Sequence, residues 1–522
     1  MKNRYILCAV TALATLSAAH AQETYENAFL ARPELNGSAR YVGMGGAMEA
    51  LGADLSVISS NPAGIGLFRH SHANVSFGFV SQSDAESFYD AKKTNASFDQ
   101  GGFVISSKIG KKSYLNFAFN YGKERNFDNI LYAAGKLGGA SQANMTYNKM
   151  NQGYISGDDF MGNNGVNYYY SQLDYLYASQ FYSNSDGEED FYDFQGDDYE
   201  MTRGNTGYIG RYDFNISGNI NDRVFLGVTF GIYDVHYDGY SEYTESALSS
   251  NTELNGVLVQ DSRKITGTGF DVKAGIIVRP FEDSPFRIGF SVASPIFYDL
   301  ETSNVTGLTL YDSDGKAAYY SENSEYYKFR MNTPWKFGVS LGHTVGNYLA
   351  IGASYEYADY GNIDTRIKDG YDDWGWGWDN STSDRVMNHY TESTLKGVST
   401  VKLGVEVKPD PTVAVRLGFN YVSSMFEDDA YKSTTLYSPG TYYQSATDYT
   451  NWEETYRVTA GLGFKVDRIN LDVAYQYSTT NGEFCPFMDD ASVEDGLITN
   501  YGDIVKVNDK RHQMIISLGY TF

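Results

Sequence analysis

Cysteine is almost missing from this chain: two residues in 522, Cys8 and Cys485. Cys8 falls in an N-terminal stretch that reads as a cleaved leader, so one thiol remains and no intramolecular disulfide can form. After that leader there is no run of about 18 apolar residues, which excludes a membrane-spanning helix. Proline is scarce, with 10 residues against 53 glycines. Positive charge is in deficit too: 40 Lys and Arg face 65 Asp and Glu, a net charge of −25 that becomes about −27 without the leader's Lys2 and Arg4. A chain of that sign repels phosphate backbones, so nucleic acid is a poor partner. Disorder would also produce acidity, but 46 Tyr, 30 Phe and 5 Trp are too many aromatics for it.

What is present begins with "MKNRYILCAVTALATLSAAHAQ". Lys2 and Arg4 form a basic start, Ile6 to Ala18 an apolar stretch, and Ala19-His20-Ala21 a small-residue cleavage site. This pattern predicts a signal peptide over 1–21 and an exported chain starting at Gln22. Cys8 lies within the apolar stretch and not at the cleavage site, which argues against a lipid anchor.

The dominant signal further on is period-two alternation. In "RVFLGVTFGIYDV" Val224, Leu226, Val228, Phe230 and Ile232 share one face, and Phe225, Gly227, Thr229, Gly231 and Tyr233 the other. "YRVTAGLGFKV" and "INLDVAYQY" repeat the pattern. Strands are expected near 72–82, 101–109, 113–122, 205–220, 222–237, 263–281, 285–299, 325–345, 347–360, 395–408, 410–424, 453–466, 467–480 and 509–522. Short turns such as Asn221-Asp222-Arg223 and Asp467-Arg468 alternate with long polar loops. An even number of strands with short turns at one end and long loops at the other predicts an all-β fold, a 14-stranded antiparallel transmembrane β-barrel of the outer-membrane kind over 72–522. Closure pairs every backbone group in lipid and removes the edges. A soluble all-β protein is the alternative. The last strand, "HQMIISLGYTF", alternates through Tyr520 to a terminal aromatic, Phe522, and resembles the signal read by the barrel assembly machinery.

Residues 22–71 precede the first strand without clean alternation. They contain "GMGGAMEALGADLSVISSNPAGIG". As a dinucleotide loop this fails, because Met48 occupies the last glycine position and no buried strand precedes it. A lumen bounded by fourteen strands is too wide for wall side chains to fill, and a leading segment of about fifty residues has the size to plug it. A periplasmic tail is the alternative. Elsewhere, Leu131 to Met145 is expected as a short helix. Trp374, Trp376 and Trp378 mark one loop. His70 and His72, two residues apart, raise metal or haem binding, although interfacial residues are the plainer reading. Asp312–Gly315 and Glu188, Glu189, Asp190 read as solvated acidic loops that divalent ions bridge to lipopolysaccharide; no EF-hand spacing is present. His236 and His343 lie in strands without a visible catalytic partner, so no enzyme and no cofactor is expected.

The glycine-rich stretch, its Asn61-Pro62-Ala63 and the first strand after it together resemble the N-terminal hatch of the FadL/TodX family of outer-membrane hydrophobic-compound transporters. "RIGFSVASPIFYDL" and "NTPWKFGVSLGH" resemble strands of Bacteroidetes-type members. The resemblance implies a Gram-negative outer-membrane, multi-pass monomer that passively takes up long-chain fatty acids or aromatic hydrocarbons. Its partners would be that ligand, outer-membrane lipid and lipopolysaccharide, and the barrel assembly machinery. It assigns hatch or gating roles to Gly43, Gly45, Gly46, Asn61, Pro62, Ala63 and Gly64, and assigns no metal. It also implies lateral exit where an early strand kinks, yet "SYLNFAFNYG" has no internal Gly or Pro; Pro295 and Pro334 are the prolines placed to kink other strands. The alternative function is a haem or ligand receptor, or a structural surface antigen with a closed barrel.

Overall fold

The computed structural model describes residues 23–160, 165–185, 188–191, 194–248, 254–371, 379–487 and 500–522. The expected leader and the three loop tryptophans fall outside this range. A closed antiparallel barrel of 14 strands contains most of the chain. The strands are, in order, His72–Gln82, Thr94–Lys108, Tyr114–Asn126, Gly196–Ile220, Val224–Ala247, Leu254–Val278, Arg287–Ala293 continued by Phe297–Asp312, Ala317–Asn332 continued by Lys336–Val345, Leu349–Asp359, Gly397–Asp410, Val413–Val422, Tyr449–Val466, Ile469–Cys485 and Val505–Thr521. Closure is complete: the first strand pairs with the last from His72 against Thr521 to Gln82 against Arg511.

The period-two pattern becomes an inverted protein. Leu226 and Val228 are 45% and 52% exposed on the outside, while Phe225, Thr229 and Tyr233 between them are buried in the lumen. Met514, Ile516, Leu518 and Tyr520 point outward in the same way. In water such a belt would be costly at about 25 cal/mol per Å²; against lipid tails it is the stable arrangement. Phe522 is fastened by its backbone N–H to the Ser71 carbonyl at 2.9 Å, and its ring meets Tyr520 edge-on at 5.0 Å.

At the short-turn end, Asn221 and Asp222 both take positive φ, 52° and 57°, as a tight hairpin turn matched to strand twist requires. At the other end the fourth to sixth strands run to 24 or 25 residues, well beyond the 9–11 that span a bilayer, and continue as a sheet above it. Here one expectation is corrected. Leu131 to Lys136 is not helical but belongs to a strand, Asn129–Lys136, paired with the fourth barrel strand. The helix begins only at Ala143 and runs to Asn151. Alternation in "NILYAAGK", with Tyr132 out and Ala133 in, and an available sheet edge outweigh the weak helical preference of these residues.

The wall is interrupted in the middle of the sheet. Ala293 faces Lys336 and Phe297 faces Asn332 in unbroken register, which sets Pro295 opposite Pro334. Neither can donate to the ladder, so side chains take over: Ile296 N–H donates to Thr333 Oγ1 at 2.8 Å, and Val272 N–H to Ser294 Oγ at 3.0 Å. Beside them the ninth strand leaves the sheet at Asp359 for a 3₁₀ turn over Tyr360–Asn362. The third strand is bent too, by a register shift between Lys123 and Arg125.

Candidate functional site

Residues 23–71 lie against the inward face of the barrel. The segment has local structure of its own: a helix over Thr24–Ala31 capped by Glu23, another over Ala39–Gly43 capped by Ser38, and 3₁₀ turns over Leu55–Ser59 and Pro62–Leu67. Asp54 links two of these caps, accepting from Ser38 Oγ at 2.8 Å and from Ser56 N–H at 2.9 Å. A small core of Leu35, Tyr41, Val42, Met44, Met48, Leu51, Val57 and Ile58 packs on the wall residues Val104, Ala118, Ala474 and Ile515, with Ala350 beside it.

Most of the contact is backbone to backbone, on a belt of wall glycines. Gly227, Gly275, Gly289, Gly342, Gly352, Gly404, Gly418 and Gly461 come one each from the fifth to the twelfth strands, and each abuts the segment between Gly43 and Ala63. Gly342 faces Gly352, Gly352 faces Gly404, and Gly404 faces Gly418 across the ladders. A Cβ at Gly227, Gly342, Gly352, Gly404 or Gly418 would meet the segment's main chain, and one at Gly275 or Gly289 the Asn61 side chain. On the segment's side, a Cβ on Gly45 (φ +63°) would lie 2.7 Å from Phe419 N, and one on Gly46 (φ +81°) 2.9 Å from the Leu35 side chain. Gly43 meets Gly461, whereas Gly64 packs on Val57 within the segment.

Asn61-Pro62-Ala63 sits in this seat and is fully enclosed. The Asn61 side chain caps the last turn by accepting from Ala63 N–H at 3.2 Å, and its Nδ2 has no hydrogen-bond partner among the described residues. Thr229 Oγ1 donates to the Ile58 carbonyl at 2.9 Å and Asn116 Nδ2 to that of Ile65 at 2.7 Å. The three residues therefore press on the wall, and Pro33, Glu34, Leu35, Asn36, Tyr41, Ser59 and Ser60 face the space above. Ion pairs complete the attachment. Arg40 grips Glu406 with two bonds of 3.0 and 3.1 Å, Glu406 also accepts from Arg416, and Lys402 meets Glu49 at 2.8 Å.

Two chambers lie above the segment. The one nearer the short-turn end is polar, lined by Lys123, Glu124, Arg211, Asp271, Lys273, Lys336, Glu356, Lys402 and Arg457. It borders the wall interruption at Ser294 and Ile296. The outer chamber is mainly apolar, lined by Phe29, Leu131, Tyr237, Ile265, Val398, Val422, Met425, Phe426 and Trp452, with Arg32, Arg203, Arg263 and Lys432 among them. Helix Thr24–Ala31 forms one side of it, held to the loops by Thr24 Oγ1 with Thr391 Oγ1 at 2.6 Å and by Tyr25 stacked on Phe426 at 5.1 Å. Over its mouth, helices Ala143–Asn151 and Gln172–Phe181 pack on the extended strands. Lys149 and Asp174 pair inside this cover at 2.7 Å. Burial, with Glu245 nearby, raises the Tyr177 phenol well above its ordinary value, and it donates to Gln142 at 2.8 Å as a neutral group.

His70 and His72 border one cavity, with Asp54 and Asp472. His72 stacks on Phe68 and contacts Thr521 Oγ1 at 3.1 Å, His236 pairs with Asp234, and His512 lies between Ser83 and Tyr475. Among the described residues no three metal-binding side chains come together. Asp312–Gly315 is a tight turn closed on its own backbone, with Asp312 Oδ1 accepting from Asp314 and Lys316. Neither the glycine belt nor the two chambers was read from the sequence. The belt's signal was present as one glycine on the polar face of strand after strand.

Among solved structures, the chain is similar to a FadL homologue of Pseudomonas aeruginosa, at 12% identity over 94% of this chain and 99% of that one, with a TM-score of 0.51. It also matches the toluene transporter TbuX of Ralstonia pickettii (12% identity, 93% and 98% covered, TM-score 0.46) and the toluene transporter TodX of P. putida (11%, 93% and 99%, 0.47). The first of these establishes a shared fold along the whole barrel. No family model and no curated protein matches the sequence. The architecture is that of an outer-membrane, multi-pass barrel.

Proposed function

We propose that this chain is an outer-membrane channel for passive uptake of hydrophobic small molecules, and that it belongs with the FadL/TodX transporters whose barrel it shares. Residues 1–21 are its export signal, 22–71 its hatch and 72–522 its barrel. The observation that carries the reading is an apolar chamber enclosed in the outer half of a barrel whose inner half is filled by a seated segment. A water-filled pore would have no use for the chamber, and an apolar solute would gain nothing from such a pore. A pocket with apolar walls and a few placed polar groups is the usual form of a small-molecule site. The partners follow: a hydrophobic ligand, lipid and lipopolysaccharide around the belt, and the assembly machinery at Tyr520 and Phe522.

The test is uptake of a labelled hydrophobic compound by cells lacking their own outer-membrane route. The expected result is influx restored by this chain at low external concentration, with bound lipid or detergent found in the purified barrel. A barrel that folds, carries nothing and restores nothing would end the proposal.

A further inference from the structure

We propose that the short-turn end of the barrel docks a soluble acidic protein, which enters a cup beneath the N-terminal segment with a carboxylate-bearing stretch of chain. The inference goes beyond uptake and needs only the outer-membrane placement, in which short turns face inward. The sign of the charge reverses at this end. The whole chain has 40 Lys and Arg against 65 Asp and Glu. The junction at 69–71 and the short turns at 108–113, 220–223, 279–287, 346–348, 408–412 and 465–468 together have ten Lys or Arg, against five Asp or Glu and the terminal carboxylate.

The cup is the cavity that His70 and His72 border, about 300 Å³ in volume. Arg69 and His70 reach it from the N-terminal segment, and Lys408 and Lys465 from the tenth and twelfth strands. Its two acids are already engaged: Asp54 accepts from Ser38 Oγ at 2.8 Å, and Asp472 from Arg416 at 2.6 Å. Cationic donors are left over. The side chains of His70 and Lys465 are exposed and make no hydrogen bond or ion pair among the described residues. Arg69 pairs with Asp222, yet its buried Nη1 has no hydrogen-bond partner among those residues. Leu55, Leu67, Phe68 and Val413 add apolar lining to the same cup.

Side-chain parity separates the possible partners. Lys108, Lys408 and Lys465 fall on the lumen-facing parity of their strands, whereas the adjacent Ile109, Val407 and Val466 face outward and are 66%, 41% and 72% exposed. A lipid leaflet would therefore meet the apolar residues, and the cations are offered to the water at the mouth. A small inorganic anion would use one or two of them and none of the apolar lining. Lys111, Lys112 and Arg468 extend the positive charge over the turn tips, exposed and without an ion pair among the described residues. The attraction thus covers a face and not the cup alone. An acidic protein surface matches both features: complementary charge steers it to the face, and a stretch of mixed carboxylate and apolar side chains fills the cup. The cup is walled partly by the N-terminal segment and partly by the barrel, so a seated stretch touches both. A soluble acceptor also meets a physical need, because an apolar ligand released at this end faces water.

Carbethoxylation of His70 by diethyl pyrocarbonate, read by mass spectrometry on the full-length chain in neutral detergent, reports whether the cup is occupied. The exposed His236, on the outer half of the fifth strand, is the internal control. The probes are the end-blocked hexapeptide ELEELE, its uncharged counterpart QLQQLQ, and phosphatidylglycerol. ELEELE should slow modification of His70 at least fivefold at low salt and much less at high salt, with His236 unchanged and QLQQLQ without effect. In Lys111→Gln/Lys112→Gln/Lys465→Gln, with folding checked by heat-modifiable gel mobility, the protection should fall below twofold. Protection by neither peptide, or by both equally, overturns the acidic partner. Protection that survives in the triple variant overturns the assignment to this face. Protection by phosphatidylglycerol alone gives the face to the membrane and overturns the soluble partner. The natural-chain comparison decides the matter even where the triple variant does not fold. No transported ligand enters the readout, so each of these results leaves the uptake reading to its own influx test.

Discussion

A methyl group on Gly418 would be built into the main chain at Gly45, and one on Gly352 into the Ala47 carbonyl. These wall glycines thus report on seating while lying outside every chamber. Gly418→Val should lift residues 43–47 off the wall without opening the ladder, and tryptic cleavage after Arg40 should rise at least tenfold in barrels that still show heat-modifiable mobility. Unchanged cleavage would mean that the contact is not what holds the segment. Asn61→Ala tests a smaller effect. It removes one cap, worth about 1 kcal/mol, so amide exchange in the turn over Pro62–Leu67 should speed up about fivefold; an unchanged rate would leave the cap without weight. At this scale the sequence is legible only in part. Asn61-Pro62-Ala63 stands out as a motif, yet its enclosure against four strands depends on Gly227 and Gly275, more than 160 residues away. No single-residue pattern announces which strand face another segment will occupy.

For the elements, legibility follows the solvent. Within the bilayer a strand must be apolar on one side, so the parity of Leu226, Val228 and Phe230 could be read directly. Above it both faces are wet or covered by loops, alternation weakens, and neither the outer halves of the fourth to sixth strands nor the strand Asn129–Lys136 is legible. Proline gave a partial signal: Pro295 and Pro334 mark bends, but their mutual opposition emerges only from register. Two consequences are measurable. Pro295→Val with Pro334→Val supplies two donors at facing positions, each worth about 0.5–1.5 kcal/mol, and should raise the temperature at which heat-modifiable mobility is lost by a few degrees. No rise would trace the interruption to the departing ninth strand instead. Lys402→Met leaves Glu49 buried without its cation, a loss of about 3–5 kcal/mol, whereas Glu49→Gln added to it should recover most of that. The readout is amide exchange over residues 44–52, and additivity of the two changes would show that the pair is not coupled.

For the whole molecule, the question is what keeps a barrel with so polar a lumen from conducting. The wall does not depend on its contents: every strand is paired on both sides and the first meets the last, so the ladder closes whether or not residues 23–71 are present. The segment in turn draws its core mostly from itself, with a few wall residues contributing. Removing residues 23–71 should therefore leave a folded barrel and expose Arg416, Glu406, Lys402 and the belt glycines to water along a continuous channel. In planar bilayers the intact chain should show no steady ion current, because the seated segment and the apolar chamber stand in series across the lumen. The truncated chain should give open, ohmic steps that are weakly selective, since cationic and anionic side chains both line the path. Equal currents from the two would place the barrier in the loops above the chamber, and Lys149→Met, which unpairs Asp174 within that cover, would then become the informative change. A silent truncated barrel that is folded would mean that the wall side chains close on themselves, and the hatch assignment would fall with it.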